Sequence, residues 1–308
     1  MKSKTIKAVL RKKIDQWIAS IEDKNLQELV KANVIVTGGA IASMLLKEKV
    51  NDFDVYFKTK EVVLRVAEYY VARFQPKNRN GIVCSISVEN EVNRVRIVIK
   101  SAGVASANGT DKPYQYFEGG GDAAGYVGEI MQDPGDITDT YEETETAAAE
   151  NAELGYKPVF MSTNAITLSG RIQIILRFYG EPDQIHENYD FVHCTNYWTS
   201  WNNELVLRPA ALEALLTREL RYVGSRYPVC SLIRLRKFIG RQWTVNAGQI
   251  LKIVMQINEL DLTDIKVLED QLTGVDVAYF IELTRKLKDK DPEKVNSAYL
   301  IEIIDRMF

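Results

Sequence analysis

Asn33 to Thr37 (NVIVT) is a short run dominated by β-branched residues that stops at Gly38-Gly39. Ala40 to Lys49 (AIASMLLKEK) follows with the composition of a helix. Branched side chains suit a pleated strand and paired glycines supply the angles of an abrupt turn, so the segment predicts strand, tight turn, helix. Asp52-Phe53-Asp54 then leads into a second strand over Asp54 to Lys58. Alternation along a strand sends Asp52 and Asp54 to one face and Phe53 to the other, into the core. Two neighbouring carboxylates repel unless a divalent cation sits between them. Mg²⁺ (or Mn²⁺) is the expected occupant, because it takes oxygen ligands and is often held by one or two carboxylates plus substrate phosphates.

The hydrophobic spacing around this unit gives the rest of the architecture. Residues 5–31 carry Ile6, Val9, Leu10, Ile14, Trp17, Ile18 and Ile21 at helical spacing, predicting one amphipathic helix. Glu61 to Phe74 predicts a helix, and Ile82 to Val88 and Arg94 to Ile99 predict strands of the same mixed sheet. Residues 101–157 interrupt the pattern with a glycine-rich, acidic segment of little apolar periodicity, expected to be a mobile solvated insertion. Val159 to Leu168 and Arg171 to Phe178 then predict a hairpin about Ser169-Gly170. From Glu204 helical spacing takes over, in Leu205 to Val223, Val229 to Ile239, Ala247 to Ile257, Thr263 to Leu272, Val275 to Leu287 and Pro292 to Phe308. The expected fold is α+β: an N-terminal helix (1–32), a mixed-sheet head domain (33–203, with the insertion at 101–157) and an all-helical domain (204–308).

The hydrophobic share of 46% and charged share of 26% fit a soluble globular chain. No window approaches the roughly 18 apolar residues of a membrane span, so a cytoplasmic protein without a membrane partner is expected. Cys84, Cys194 and Cys230 are scattered and lack a C-x-x-C pair, which argues against zinc or redox work. The net charge of -3 conceals opposite segments: Asp111 to Glu153 has Lys112 as its only base, whereas Arg208 to Arg241 is rich in arginine.

A Gly-Gly turn after a strand also suits a nicotinamide-binding fold. That fold needs further glycines where the backbone approaches the pyrophosphate, and here Ala42, Ser43 and Met44 stand in those places. Gly-Gly joined to Asp-x-Asp instead resembles the nucleotidyltransferase superfamily of DNA polymerase beta, poly(A) polymerases and CCA-adding enzymes. Gly38, Gly39, Leu45, Leu46, Asp52, Phe53 and Asp54 match the bacterial poly(A) polymerase type of head domain. Ala42 and Ser43 replace the Arg-Asp pair usual in its helix, as in a divergent member. NYDFVHCTNYW and RYPVCSLIRLRKFIGR, within a stretch from about residue 33 to 243 that excludes the insertion, also resemble nucleotidyltransferase-like proteins of bacteriophages, which would place the chain in the cytoplasm of a bacterial host.

The resemblance implies transfer of a nucleoside monophosphate from an NTP, with ATP or CTP as donor, to an acceptor such as an RNA 3′ end. It implies Asp52 and Asp54 as catalytic metal ligands, Gly38 and Gly39 under the triphosphate, and a third carboxylate from a later segment. Gln173 in the following strand is a neutral amide, so Asp190 is the candidate, as third carboxylate or ribose-binding residue. Arg226, Arg234, Lys237 and Arg241 are the implied nucleotide- or acceptor-binding cations, since the guanidinium fork matches phosphate. Tyr222, Tyr227 or Trp243 would stack on a base. Leu232, Leu235, Phe238 and Ile239 are expected on the core side of the same helix, and His186 and His193 are expected as polar loop residues. The competing expectation is a head fold that has lost its chemistry and acts as a binding or structural phage component, a reading that Ala42, Ser43 and Gln173 favour.

Overall fold

A computed structural model of the chain describes residues 1–74, 84–101, 113–114, 116–118, 156–162, 164–272, 296 and 298–302. Most of the acidic insertion, the expected helix Val275 to Leu287 and most of Pro292 to Phe308 lie outside the described residues. The described residues fall into two compact units. One comprises residues up to 118, 156–186 and 194–209, and the other 187–193 and the residues from 210 onward.

The first unit begins with α1 (Ser3–Ala19) and α2 (Lys24–Lys31), two helices where one was expected. The break comes at Asp23, whose carboxylate accepts the amides of Asn25 and Leu26 and so starts a new helix. The chain continues through β1 (Val34–Thr37), α3 (Gly39–Leu46), β2 (Phe53–Phe57) and α4 (Lys60–Arg73). Helix α3 ends three residues before the expected Lys49, because Lys47 adopts φ 62° and takes the chain out of the helix.

Next come β3 (Cys84–Asn90), β4 (Val95–Ser101), β5 (Pro113–Tyr114), β6 (Tyr116–Glu118), β7 (Pro158–Ser162), β8 (Ala165–Leu168) and β9 (Ile172–Tyr179). A short helix α5 (Pro182–His186) and edge strands β10 (Tyr197–Thr199) and β11 (Glu204–Val206) complete the unit. The main sheet runs β11-β10-β1-β2-β9-β8-β7-β6. Its β2–β9 pair is parallel and its other pairs are antiparallel, so it is a mixed sheet.

Three sequence expectations change here. Strands β3, β4 and β5 form a separate three-stranded sheet with β4 at its centre instead of joining the main one. The run Val159 to Leu168 is two strands, β7 and β8, which pair with each other. Residues 204–206 extend the sheet as β11, and helix starts only at Pro209, a residue well suited to a first helical position.

The core of this unit lies on one face of the main sheet. Val34 and Val36 of β1, Phe53, Val55 and Phe57 of β2, and Ile172, Ile174 and Leu176 of β9 point into it. Ile6, Leu10, Ile14 and Trp17 of α1, at helical spacing, cover them together with the buried sides of α2, α3 and α4. Each large apolar side chain so buried contributes about 1.5–3 kcal/mol. The alternation that fills this face necessarily turns Thr37, Asp54 and Gln173 to the other.

The second unit is helical among its described residues: α6 (Pro209–Thr217), α7 (Pro228–Gly240), α8 (Ala247–Asn258) and α9 (Ile265–Leu272). Helix α6 stops well short of Val223 because Arg218 takes φ 50°. Helix α7 packs against α8 and α9, and Gln271 of α9 accepts the Val229 amide in the first turn of α7 and donates to the Arg226 carbonyl just before it. Neither Cys194 nor Cys230 forms a disulfide. No helix among the described residues is long and apolar enough to cross a membrane.

Candidate functional site

Gly38 sits between β1 and α3 with φ 90° and ψ −149°, a conformation that a Cβ makes costly. Its amide donates to the Cys194 carbonyl at 3.1 Å, which ties the turn to the chain just before β10. The two glycines therefore differ in their work. Gly38 makes the turn, whereas Gly39 is exposed and has no atom within 4 Å of where a Cβ would stand. Gly39, Ala40 and Ile41 open α3, where the first amides of a helix have no intrahelical acceptor and the dipole favours negative charge.

The register places the aspartates relative to this turn. Asp54 of β2 is the cross-strand partner of Thr37, the residue before Gly38, and on its other side it partners Gln173 of β9. Tyr197 is next to Thr37 in β10, and Thr167 next to Gln173 in β8, so the row reads Tyr197, Thr37, Asp54, Gln173, Thr167. Neighbouring strands stand about 4.8 Å apart, so Thr37 and Gln173 flank Asp54 closely. Asp54 is half-buried, Asp52 is exposed just ahead of the strand, and Phe53 between them is in the core, as alternation requires.

Thr37 is fully buried and its hydroxyl joins three groups: His186 Nε2 at 2.8 Å, the Asn196 carbonyl at 2.9 Å and the Cys194 carbonyl at 3.3 Å. His186 is itself buried, contrary to the expected loop position, because α5 folds back beside β1. Burial, and then the nearby Arg208 cation, push its pKa down to about 4 against the opposing pull of Asp183. Its ring lies 5.9 Å from that of Tyr197, and the Arg208 guanidinium lies 5.7 Å from the Tyr197 ring while pairing with Asp183. The sequence reading took His186 for a polar loop residue and Arg208 only for the start of an arginine-rich segment, and it did not single out Thr37 or Tyr197. The signal for Thr37 was its place before Gly38; nothing local announces the roles of the other three.

The remaining candidates lie in the helical unit. Asp190 is buried, its Oδ1 accepts the Phe191 amide at 3.0 Å, and its Oδ2 accepts from Arg234 Nη1 at 2.8 Å. Arg226, Lys237 and Arg241 are exposed and Arg234 is half-buried, turned to Asp190. This orientation rolls α7 relative to the expected face: Ser231 and Leu235 are buried, while Leu232 and Ile239 are 39% and 54% exposed. Tyr222, Tyr227 and Trp243 are buried, not available platforms. Trp243 packs on His193 at 4.3 Å between ring centroids, and Phe238 meets the same imidazole edge to face at 4.9 Å. Burial pushes His193 down to about 4, outweighing the pull of Asp190. Among the described residues no three His, Cys, Asp or Glu side chains come together as a metal-binding group.

The Thermotoga maritima CCA-adding enzyme complexed with tRNA is 11% identical, covering 89% of this chain and 54% of its own, with a TM-score of 0.37. The Bacillus stearothermophilus CCA-adding enzyme in complex with CTP is 12% identical, covering 91% and 51%, with a TM-score of 0.36. The chain thus matches about half the length of these solved structures. A curated relative, Gabija anti-defense 2 of Bacillus phage SPbetaL7, is 23% identical over 139 residues, which are 44% of this chain and 33% of that protein. The model of the Gabija anti-defense 2 family matches residues 8–218, from α1 past the Asp-Phe-Asp strand to the start of the helical unit, and the chain belongs to that family.

Proposed function

We propose that the chain is a metal-dependent nucleotidyltransferase that moves a nucleoside monophosphate from ATP or CTP onto an RNA 3′ end. The observation that carries this reading is the position of Asp54, half-buried on the face of the sheet opposite the core and directly across from the strand that ends in the Gly38-Gly39 turn. A nucleotide bound there has its phosphates at the start of α3, whose open approach at Gly39 admits them. The 3′-hydroxyl oxygen attacks the α-phosphorus, the bond from that phosphorus to the bridging oxygen of the β-phosphate breaks, pyrophosphate leaves, and the hydroxyl proton passes to water.

The donor set suits Mg²⁺ or Mn²⁺. Asp52 and Asp54 supply two carboxylates, and a hard cation of this kind completes its shell with waters and substrate phosphates. The ion would lower the charge repulsion between the attacking oxygen and the phosphates. Asp52 and Asp54 would hold the cation, Gly39 and the helix start would receive the triphosphate, and Thr37, hydrogen-bonded to His186, keeps the turn in register with Asp54. In the helical unit, Arg226, Lys237 and Arg241 are the cations proposed for the nucleotide or acceptor. Arg234 is proposed for the same role, oriented by its hydrogen bond to Asp190.

One observation favours a second reading, a head that binds without catalysis: the residue beside Asp54 in β9 is the amide Gln173. Either a transfer activity or binding alone would serve the counter-defence role that the family's name carries. Labelled NTPs, supplied with Mg²⁺ or Mn²⁺ and total cellular RNA, separate the two. Labelled RNA from the wild type and none from Asp52→Ala/Asp54→Ala is the expected result. Absence of labelled RNA, protein or small molecule, together with no NTP-induced thermal shift, moves the assignment to the binding reading.

A further inference from the structure

We infer that Arg208 receives the terminal phosphate of the nucleoside triphosphate, exchanging the Asp183 carboxylate for it. This deepens the proposed function by naming the cation at the far end of the phosphate chain, and it rests on that reading for the presence of a triphosphate.

The register lines up the ends of four neighbouring strands of the head unit. Val206 of β11 partners Tyr197 of β10, Tyr197 partners Thr37 of β1, and Thr37 partners Asp54 of β2. These pairs are antiparallel, so Asp52, Gly38, Asn196 and Arg208 all lie just beyond that row, at one end of the sheet, in the order β2, β1, β10, β11. Hydrogen bonds tie the last three together: the Gly38 amide to the Cys194 carbonyl at 3.1 Å, the Thr37 hydroxyl to the Asn196 carbonyl at 2.9 Å, and the Arg208 amide to Asn196 Oδ1 at 2.8 Å. From there the Arg208 side chain leans back toward the turn. Its guanidinium lies 5.7 Å from the centre of the Tyr197 ring, one strand from β1, and its charge is felt at His186, whose pKa it helps to lower. Tyr197 lies two strand spacings, about 10 Å, from Asp54 along the row, with the turn between them.

Charge decides which end of the triphosphate meets which residue. A cation held by Asp52 and Asp54 would neutralise the α-phosphate, and the start of α3 offers the middle of the chain backbone amides and about half a positive charge. The terminal phosphate lies past the turn, on the side away from the aspartates, and there the Arg208 guanidinium supplies a full charge and a planar fork of donors that matches phosphate oxygens. Asp183 is a replaceable partner. Its side chain is 84% exposed, against 32% for Arg208, and an ion pair with one member in water contributes little. The Asn196 hydrogen bond and the Tyr197 ring keep Arg208 in place when the carboxylate is exchanged for phosphate. As pyrophosphate leaves, negative charge gathers on its oxygens, and a guanidinium already fixed at that end favours the departure.

The test is calorimetric titration of the full chain, with Mg²⁺ and without RNA, using CTP, CDP and CMP and in parallel ATP, ADP and AMP. The wild type should bind the triphosphate at least about tenfold more tightly than the diphosphate, the weight of one charge-assisted contact. Arg208→Ala should bind the two alike and leave the monophosphate unaffected. Asp183→Asn keeps the guanidinium and removes its competitor, so triphosphate should bind up to about fivefold more tightly, a gain that Arg208→Ala/Asp183→Asn should lose. A pair that serves only structure gives the reverse: lower thermal midpoints in Arg208→Ala and Asp183→Asn, and an unchanged ratio of triphosphate to diphosphate affinity. That unchanged ratio overturns the inference, as does a wild type that does not distinguish the two ligands. If Arg208→Ala does not fold, Asp183→Asn decides alone, and no gain for triphosphate over diphosphate overturns it. Triphosphate binding that depends on Arg208, in a protein that transfers no nucleotide, defeats the transferase reading and leaves Arg208 in its role. Transfer by the wild type with an unchanged ratio in Arg208→Ala does the opposite.

Discussion

Acid should weaken both units through two buried imidazoles, and the size of the effect follows from their surroundings. His186 in the head unit and His193 in the helical unit are each pushed from an ordinary 6.5 down to about 4, first of all by burial. Above about pH 7 neither the folded nor the unfolded state binds the proton, so stability does not depend on these groups. As pH falls through 6.5 the unfolded state protonates first and gains the advantage; by about pH 5 the loss is about 2 kcal/mol per histidine, levelling near 3 kcal/mol below about pH 4. Urea unfolding at a series of pH values measures it, with Trp243, 4.3 Å from His193, reporting the helical unit by its fluorescence. His193→Gln should flatten the profile of that unit and leave the head unit's slope in place, and His186→Gln should do the converse. Imidazole NMR signals that titrate near 6.5 in the folded protein, or a stability that does not change between about pH 7 and about pH 5, would refute the reasoning.

Two further expectations separate structural from ligand-binding roles. Gly39→Ala meets no neighbour and sits at a helix start, so it should raise stability by about 0.4–1 kcal/mol in thermal melts while removing the NTP-induced thermal shift; a variant that keeps the full shift takes Gly39 out of the phosphate site. Asp190→Asn leaves Arg234 without its charged partner in a half-buried position, and a loss of about 1–3 kcal/mol is expected in urea unfolding. If Asp190→Asn abolishes nucleotide binding with no change in stability, Asp190 contacts ligand and its bond to Arg234 is secondary.

How much was legible in the sequence can be judged at particular residues. Strand, glycine turn, helix and Asp-Phe-Asp strand were all readable around Gly38, because each depends on local chemistry: β-branched residues on a strand, an angle open to glycine at Gly38, and alternation that buries Phe53 between Asp52 and Asp54. A mixed sheet with helices was readable for the same reason. The break at Asp23 escaped notice because an apolar stripe continues across it, and only the carboxylate's hydrogen bonds reveal the new helix start.

What the sequence alone determined, then, was the elements and the alternation that separates a core face from a polar one. Tertiary structure decided which strands became neighbours: that Thr37 and Gln173 flank Asp54, that β3 and β4 leave the main sheet, and that His186, 149 positions away, reaches the Thr37 hydroxyl. It also decided that Arg234 turns to Asp190 and that Tyr222, Tyr227 and Trp243 are interior. Local propensity acts over a few residues, whereas pairing, burial and the pKa values that burial shifts depend on segments distant in the chain, whose meeting no local pattern records.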